Sequence, residues 1–119
     1  MPSLTSLVGA ATAAGSAALV VAPRIFLGPA RLADTADTRA LVRAMGARDT
    51  GIGLAMMAAP SGRARRLATA ARVLSDWTDV ATLPPALAGR GAAGRVVGFA
   101  SAWGALSLAA LLADERAGR

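Results

Sequence analysis

Residues 4–22, LTSLVGAATAAGSAALVVA, run without a single charged side chain. As a helix this stretch rises about 28 Å at ~1.5 Å per residue, close to the ~30 Å hydrocarbon core of a bilayer. Pro23 ends it. No basic segment precedes it, so it reads as a first membrane span and not as a cleaved signal peptide.

Working outward, three more apolar segments of similar length follow. Residues 23–39, PRIFLGPARLADTADTR, form a polar connection punctuated by Pro23, Gly28 and Pro29. Asp34, Asp37 and Thr38 are placed to cap the next helix, where a carboxylate also suits the positive end of the dipole. The second span covers about Ala40 to Ala59 and is stopped by Pro60-Ser61-Gly62. The third covers about Ala64 to Leu83, with Pro84-Pro85 as its stop. The short linker predicts that these two pack as an antiparallel hairpin. After the Gly-rich loop 83–95, LPPALAGRGAAGR, the fourth span covers about Ala92 to Leu112. Asp114, Glu115, Arg116 and Arg119 then form a polar tail. The predicted fold is therefore an all-α, four-helix transmembrane bundle in one domain over residues 1–119, with spans at about 4–22, 40–59, 64–83 and 92–112.

Composition agrees with that reading. The chain is 55% hydrophobic but only 3% aromatic, with a mean hydropathy of +0.50. Small and aliphatic residues supply the apolar surface, which suits close helix packing in lipid. Net charge is +6 and every basic residue is arginine. The arginines are scattered, with Arg63, Arg65 and Arg66 the densest group, so topology setting accounts for them better than nucleic-acid binding. Arg24, Arg31, Arg39 and Arg90 fall on one side, and Arg63, Arg65, Arg66, Arg116 and Arg119 on the other. The balance leans toward both termini in the cytoplasm. The expected location is the cell membrane, multi-pass. The expected partners are the bilayer, a lipophilic small molecule and a second copy of the chain.

The chain has no Cys, His, Tyr or Lys. Disulfides, thiol nucleophiles, Ser-His triads, Schiff bases and His- or Cys-ligated metals are excluded within it. No cofactor or metal is expected. Carboxylates, guanidiniums and hydroxyls remain.

Those groups collect where lipid tolerates them least. Arg48 and Asp49 fall near the middle of the second span, and Arg72, Asp76 and Asp79 lie along the third. Each costs about 2.5–3.5 kcal/mol at a helix centre, so all five should face the bundle interior. Residues 72, 76 and 79 share one helical face. Counting ~1.5 Å per residue in an antiparallel hairpin brings Arg48 level with Asp76 and Asp49 level with Arg72. Asp79 is left over; Arg43 and Arg95 are candidate partners, and protonation is the alternative.

Two readings of the cluster stand side by side. In one it is ionic glue that fixes helix register. In the other it is a polar pocket in which Asp76 or Asp79 acts as acid or base and Arg48, in a ligand or ionic cluster with Asp49 and Arg72, holds an anionic or oxygen-bearing ligand. The corresponding functions are a structural or accessory membrane component, and a membrane-embedded enzyme or binder for a lipophilic molecule, with acid-catalysed isomerisation or cyclisation as the chemistry. An empty apolar pocket beside Asp76 would favour the second, and a tightly packed interior the first. A soluble bundle with surface charges is the third reading, opposed by the uncharged first segment.

Lesser features read as packing. Gly94, Gly98 and Ala102, and Gly9, Ala13 and Ala17, are small-xxx-small stripes that suit packing within the bundle, with self-association open. Gly51-Ile52-Gly53 leaves room for a neighbouring helix, since no strand precedes it to support nucleotide binding. Met45, Met56, Met57 and Trp77 read as packing residues, and Trp103 as packing or the wall of a pocket.

The segment Met45-Gly46-Ala47-Arg48-Asp49-Thr50-Gly51-Ile52-Gly53-Leu54 resembles the Gly-x-Arg-Asp-x-x-x-Gly-Leu signature of small four-span membrane proteins of actinobacteria and fungi. Ser75-Asp76-Trp77-Thr78-Asp79 looks like that family's second, acidic signature. The resemblance covers about residues 40–112. It implies the four-span topology, singles out Arg48, Asp49, Asp76 and Asp79, and carries no reaction.

Overall fold

A computed structural model of the chain describes residues 1–89 and 91–119. Among them every regular element is helical: α1 Leu4–Val21, α2 Arg24–Leu27, α3 Ala36–Ala58, α4 Arg63–Ala86 and α5 Ala93–Arg116. Arg90, assigned above to one membrane side, lies outside the described residues.

The four long helices correspond to the four apolar segments, with shifted ends. α3 starts before Ala40 because Thr35 caps it: Thr38 N–H donates to Thr35 Oγ1 at 3.2 Å, and Thr35 N–H donates to Thr38 Oγ1 at 3.0 Å. Asp34 was expected to cap but instead binds Arg24 at 2.9 Å and Arg39 at 2.6 Å. The hydrogen bond from Arg39, with that from Arg24 behind it, holds the Asp34 carboxyl below its ordinary range. α4 runs through the expected Pro84-Pro85 stop to Ala86. The prolines remove two donors only in the last turn, which Leu87 N–H closes onto the Leu83 carbonyl at 3.0 Å. The expected polar tail is a continuation of α5.

Packing divides the bundle into two pairs, α1 on α3 and α4 on α5. The α1–α3 seam is glycine-made. A Cβ on Gly53 would lie 2.6 Å from Ala13 N and 2.7 Å from the Gly9 carbonyl, and one on Gly46 would lie 2.8 Å from the Ser16 carbonyl. Gly9 and Ala13 thus pack within the bundle as expected. The stripe on α5 does not: Gly94 and Gly98 face open space, and Ala102 is exposed. α5 turns another small face, Ala100, Gly104 and Ser107, toward its neighbours. At Gly104 a Cβ would meet Trp77 Nε1 at 3.1 Å and Asp76 Cβ at 3.3 Å.

α3 and α4 meet far less extensively than the hairpin expectation required. Their small faces are already engaged by α1 and α5. Long charged side chains fill the interval between them and keep the backbones apart.

Burial is inverted relative to a water-soluble bundle. α4 buries Arg65, Thr69, Arg72 and Asp76 and exposes Leu67, Leu74 and Trp77. α1 buries Thr5, Thr12 and Ser16 and exposes Leu7 and Val21. Among the described residues two helices, α1 and α5, are long and apolar enough to cross a membrane.

Candidate functional site

The charged residues at mid-bundle form one chain of alternating sign. Arg48 on α3 binds its neighbour Asp49 at 2.8 Å and reaches across to Asp79 on α4 at 3.0 Å. Asp49 is approached by Arg72 Nη1 at 3.4 Å, and Arg72 grips Asp76 one turn along α4 through two nitrogens, with Nε donating at 3.0 Å. Ser75 donates to Asp49 at 3.3 Å. The order Asp79, Arg48, Asp49, Arg72, Asp76 puts a carboxylate at each end.

Depth counting placed Asp49 with Arg72, and these two meet. It placed Arg48 with Asp76, but Arg48 binds Asp79 instead, because the close Arg72–Asp76 pair within α4 occupies Asp76. Neither candidate partner takes Asp79. Arg43 donates from Nε to the Val20 carbonyl at 3.1 Å, where a cation suits the end of α1. Arg95 stands at the rim of a cavity.

That cavity has a volume of about 680 Å³ and opens beside the cluster. Asp49, Arg72, Asp76 and Asp79 make its polar patch; Leu19, Phe26, Phe99 and Trp103 are among its apolar walls. The splay between the two helix pairs creates it. Trp103 is fixed by its Nε1–H donating to Thr12 Oγ1 at 2.9 Å and by stacking on Phe99 at 5.9 Å between ring centroids. The Thr12 hydroxyl in turn donates to the Val8 carbonyl at 2.8 Å. Met45 lines the cavity, Met56 is core, and Met57 is exposed.

Arg48 does not line the cavity; it reaches Asp79 from the outer side of the gap, with its side chain 39% exposed. Asp76 and Asp79, named as acids from the sequence, both line the cavity, yet each is engaged by a guanidinium. Their remaining lone pairs can accept from a ligand. Among the described residues no set of carboxylates is arranged to hold a metal ion.

Thr12, Ser16, Phe26 and Phe99 went unmarked in the sequence although they border the site. A signal existed for two of them: Thr12 and Ser16, four apart on the uncharged segment, mark its inward face.

A second polar contact lies at the far end of the bundle. Asp114 on α5 is fully buried and caps α1, accepting from Leu4 N–H at 3.0 Å, Thr5 N–H at 2.8 Å and the Thr5 hydroxyl at 2.7 Å. Burial alone would raise its carboxyl; the Thr5 and Leu4 hydrogen bonds and the nearby Arg65 charge together hold it below its ordinary value. Arg65 Nε and Nη1 are themselves buried without a hydrogen-bond partner.

The chain matches no family model, no curated protein and no solved structure.

Proposed function

We propose that this chain is a four-span, multi-pass protein of the cell membrane whose cavity, open on one side beside Phe99, holds a lipophilic small molecule. The observation that carries the binding reading is the 680 Å³ cavity, mostly apolar, with the ionic chain, the hydroxyls of Thr12 and Ser16 and the rim residue Arg95 as its polar groups. Ligand sites of roughly 300–1,000 Å³ with few polar groups have this character. The inverted burial supports the topology: α4 buries Arg65, Arg72 and Asp76, while α3 and α4 present Leu41, Leu54, Leu67 and Leu74 outward, where lipid would cover them. The resemblance of residues 45–54 to the four-span signature is in keeping with this, and its glycines Gly46 and Gly53 have a use in seating α1.

A structural role for the cluster is the second reading, favoured by the ion-pair contact that each of the five side chains makes, although two arginines face three aspartates. The two readings combine: the ionic chain ties α3 to α4 and forms one wall of the site. Acid catalysis by Asp76 or Asp79 is less well supported, since neither carboxyl is free of an arginine.

Two experiments on the same membrane preparations test the proposal. The chain has no native cysteine, so single cysteines at Ser61 and Ala88 report sidedness without background. Four spans put them on opposite faces; labelling from the same face would mean that only α1 and α5 cross. Gly15 lines the cavity, and a Cβ there meets nothing within 4 Å. Gly15→Leu should assemble normally, gain about 0.5–1 kcal/mol of helix stability, and lose the lipophilic molecules that mass spectrometry finds with the wild type. Identical extracts from both proteins, or none from either, would leave only the structural reading.

A further inference from the structure

We infer that the cavity takes a lipophilic amine, with its ammonium set against Asp79 and Asp49 and its apolar body along Trp103 and Phe99. The inference rests on the binding reading above and adds the chemical class of the occupant.

The first support is charge. The ionic chain holds two arginines against three aspartates, and it ends in a carboxylate on both sides. One negative charge is therefore left without a counter-charge inside the cluster. Neither candidate cation supplies it: Arg43 donates to the Val20 carbonyl, and Arg95, exposed at the rim of the cavity, makes no ion pair with Asp79. An uncompensated charge in a low-dielectric interior is costly, and a cationic ligand offsets that cost where a neutral one does not.

The second support is which atoms face the empty space. The cavity is bordered by Asp49 and Asp79, whose side chains are 15% and 14% exposed, while Arg72 is only 3% exposed and Arg48 is not in the wall. A ligand head meets acceptors before it meets donors. An ammonium supplies donors and charge together; an alcohol supplies one donor and no charge; a carboxylate supplies neither.

The third support is the aromatic wall. Phe99 and Trp103 stack with ring planes 8° apart, and the pair borders the same cavity as the aspartates. Aromatic faces beside carboxylates favour an organic cation.

The test uses one apolar cage with three heads: adamantyl amine, adamantyl alcohol and adamantyl carboxylate. The protein is reconstituted in lipid nanodiscs as Trp77→Phe, so that Trp103 is the sole indole and reports on the cavity; empty nanodiscs correct for partitioning. The amine should bind at least about tenfold more tightly than the alcohol, as one unscreened charge contact predicts, and the carboxylate should not saturate. Asp79→Asn should remove the amine's advantage and leave alcohol binding in place, while Asp79→Glu keeps the advantage. Gly15→Leu should block amine and alcohol alike. Equal or tighter binding of the alcohol, saturable binding of the carboxylate, or no saturable binding of any probe overturns the inference. If wild type still carries a co-purifying lipophile that Gly15→Leu lacks, the class alone is wrong and the binding reading stands; if it carries none, both fall.

Discussion

The α1–α3 seam and the α3–α4 gap share a helix and solve opposite problems. On its α1 side, α3 presents Gly46 and Gly53, and backbone approaches backbone until no Cβ fits. On its α4 side the same helix presents Arg48 and Asp49, and long side chains bridge an interval that the main chains do not close. The seam gains dispersion contacts and excludes everything else. The gap gains charge pairing and leaves space. Placing both on one helix gives a rigid wall on one side and a cavity on the other, and the cavity is where a ligand can act.

The largest test of this contrast is Arg72→Met. It removes both hydrogen bonds to Asp76 and leaves that carboxylate buried without a counter-charge, for an expected loss of about 3–5 kcal/mol in reversible unfolding from mixed micelles. The double variant Arg72→Met/Asp76→Leu should recover most of it, because no orphaned charge remains. A loss under about 1 kcal/mol in the single variant would mean that the ionic chain does not hold the two pairs together.

Gly53→Ala comes next and probes the seam. Its new methyl would sit against main-chain atoms of Ala13 and Gly9, which cannot turn aside as a side chain does, so α1 must shift at a cost of about 1–3 kcal/mol. Gly51→Ala, two residues away with nothing within 4 Å of its Cβ, is the control and should stabilise by about 0.5–1 kcal/mol. Equal effects at the two positions would show that the seam is not close-packed. Gly15→Leu is the mildest change in stability, and sharpens the contrast by filling the gap without touching either wall's charges.

Much of this arrangement is legible in the sequence. Helix positions follow from proline and glycine punctuation, and the inward placement of Asp49, Arg72, Asp76 and Asp79 follows from the cost of charge in an apolar layer; Arg48, expected beside them, instead reaches in from the outer side with its side chain 39% exposed. The pairing of Asp49 with Arg72 came from residue counting. What escaped was set by competition between partners. Arg72 satisfies Asp76 within its own helix, which displaces Arg48 onto Asp79; spacing alone does not rank those two contacts. The splay of α3 from α4 escaped because a short linker argues for adjacency and says nothing of how closely two helices approach. The stripe Gly94, Gly98 and Ala102 was a real small face turned the wrong way, since Ala100, Gly104 and Ser107 form a second one on the same helix. Asp114 was set aside as tail because its partners lie at the other end of the chain.

That last contact bears on the order of assembly. The carboxylate that caps α1 comes from a residue 109 positions downstream of Thr5. While the chain is being made, α1 enters its surroundings with the Leu4 and Thr5 amides unmet by the group that finally holds them. A contact of such long range closes a loop of more than a hundred residues, which is costly until the intervening helices have drawn its ends together. The first helix of the bundle is thus locked by a residue of its last helix, and a chain that stalls before α5 is complete carries an unlatched α1, a mark by which an unfinished bundle differs from a finished one.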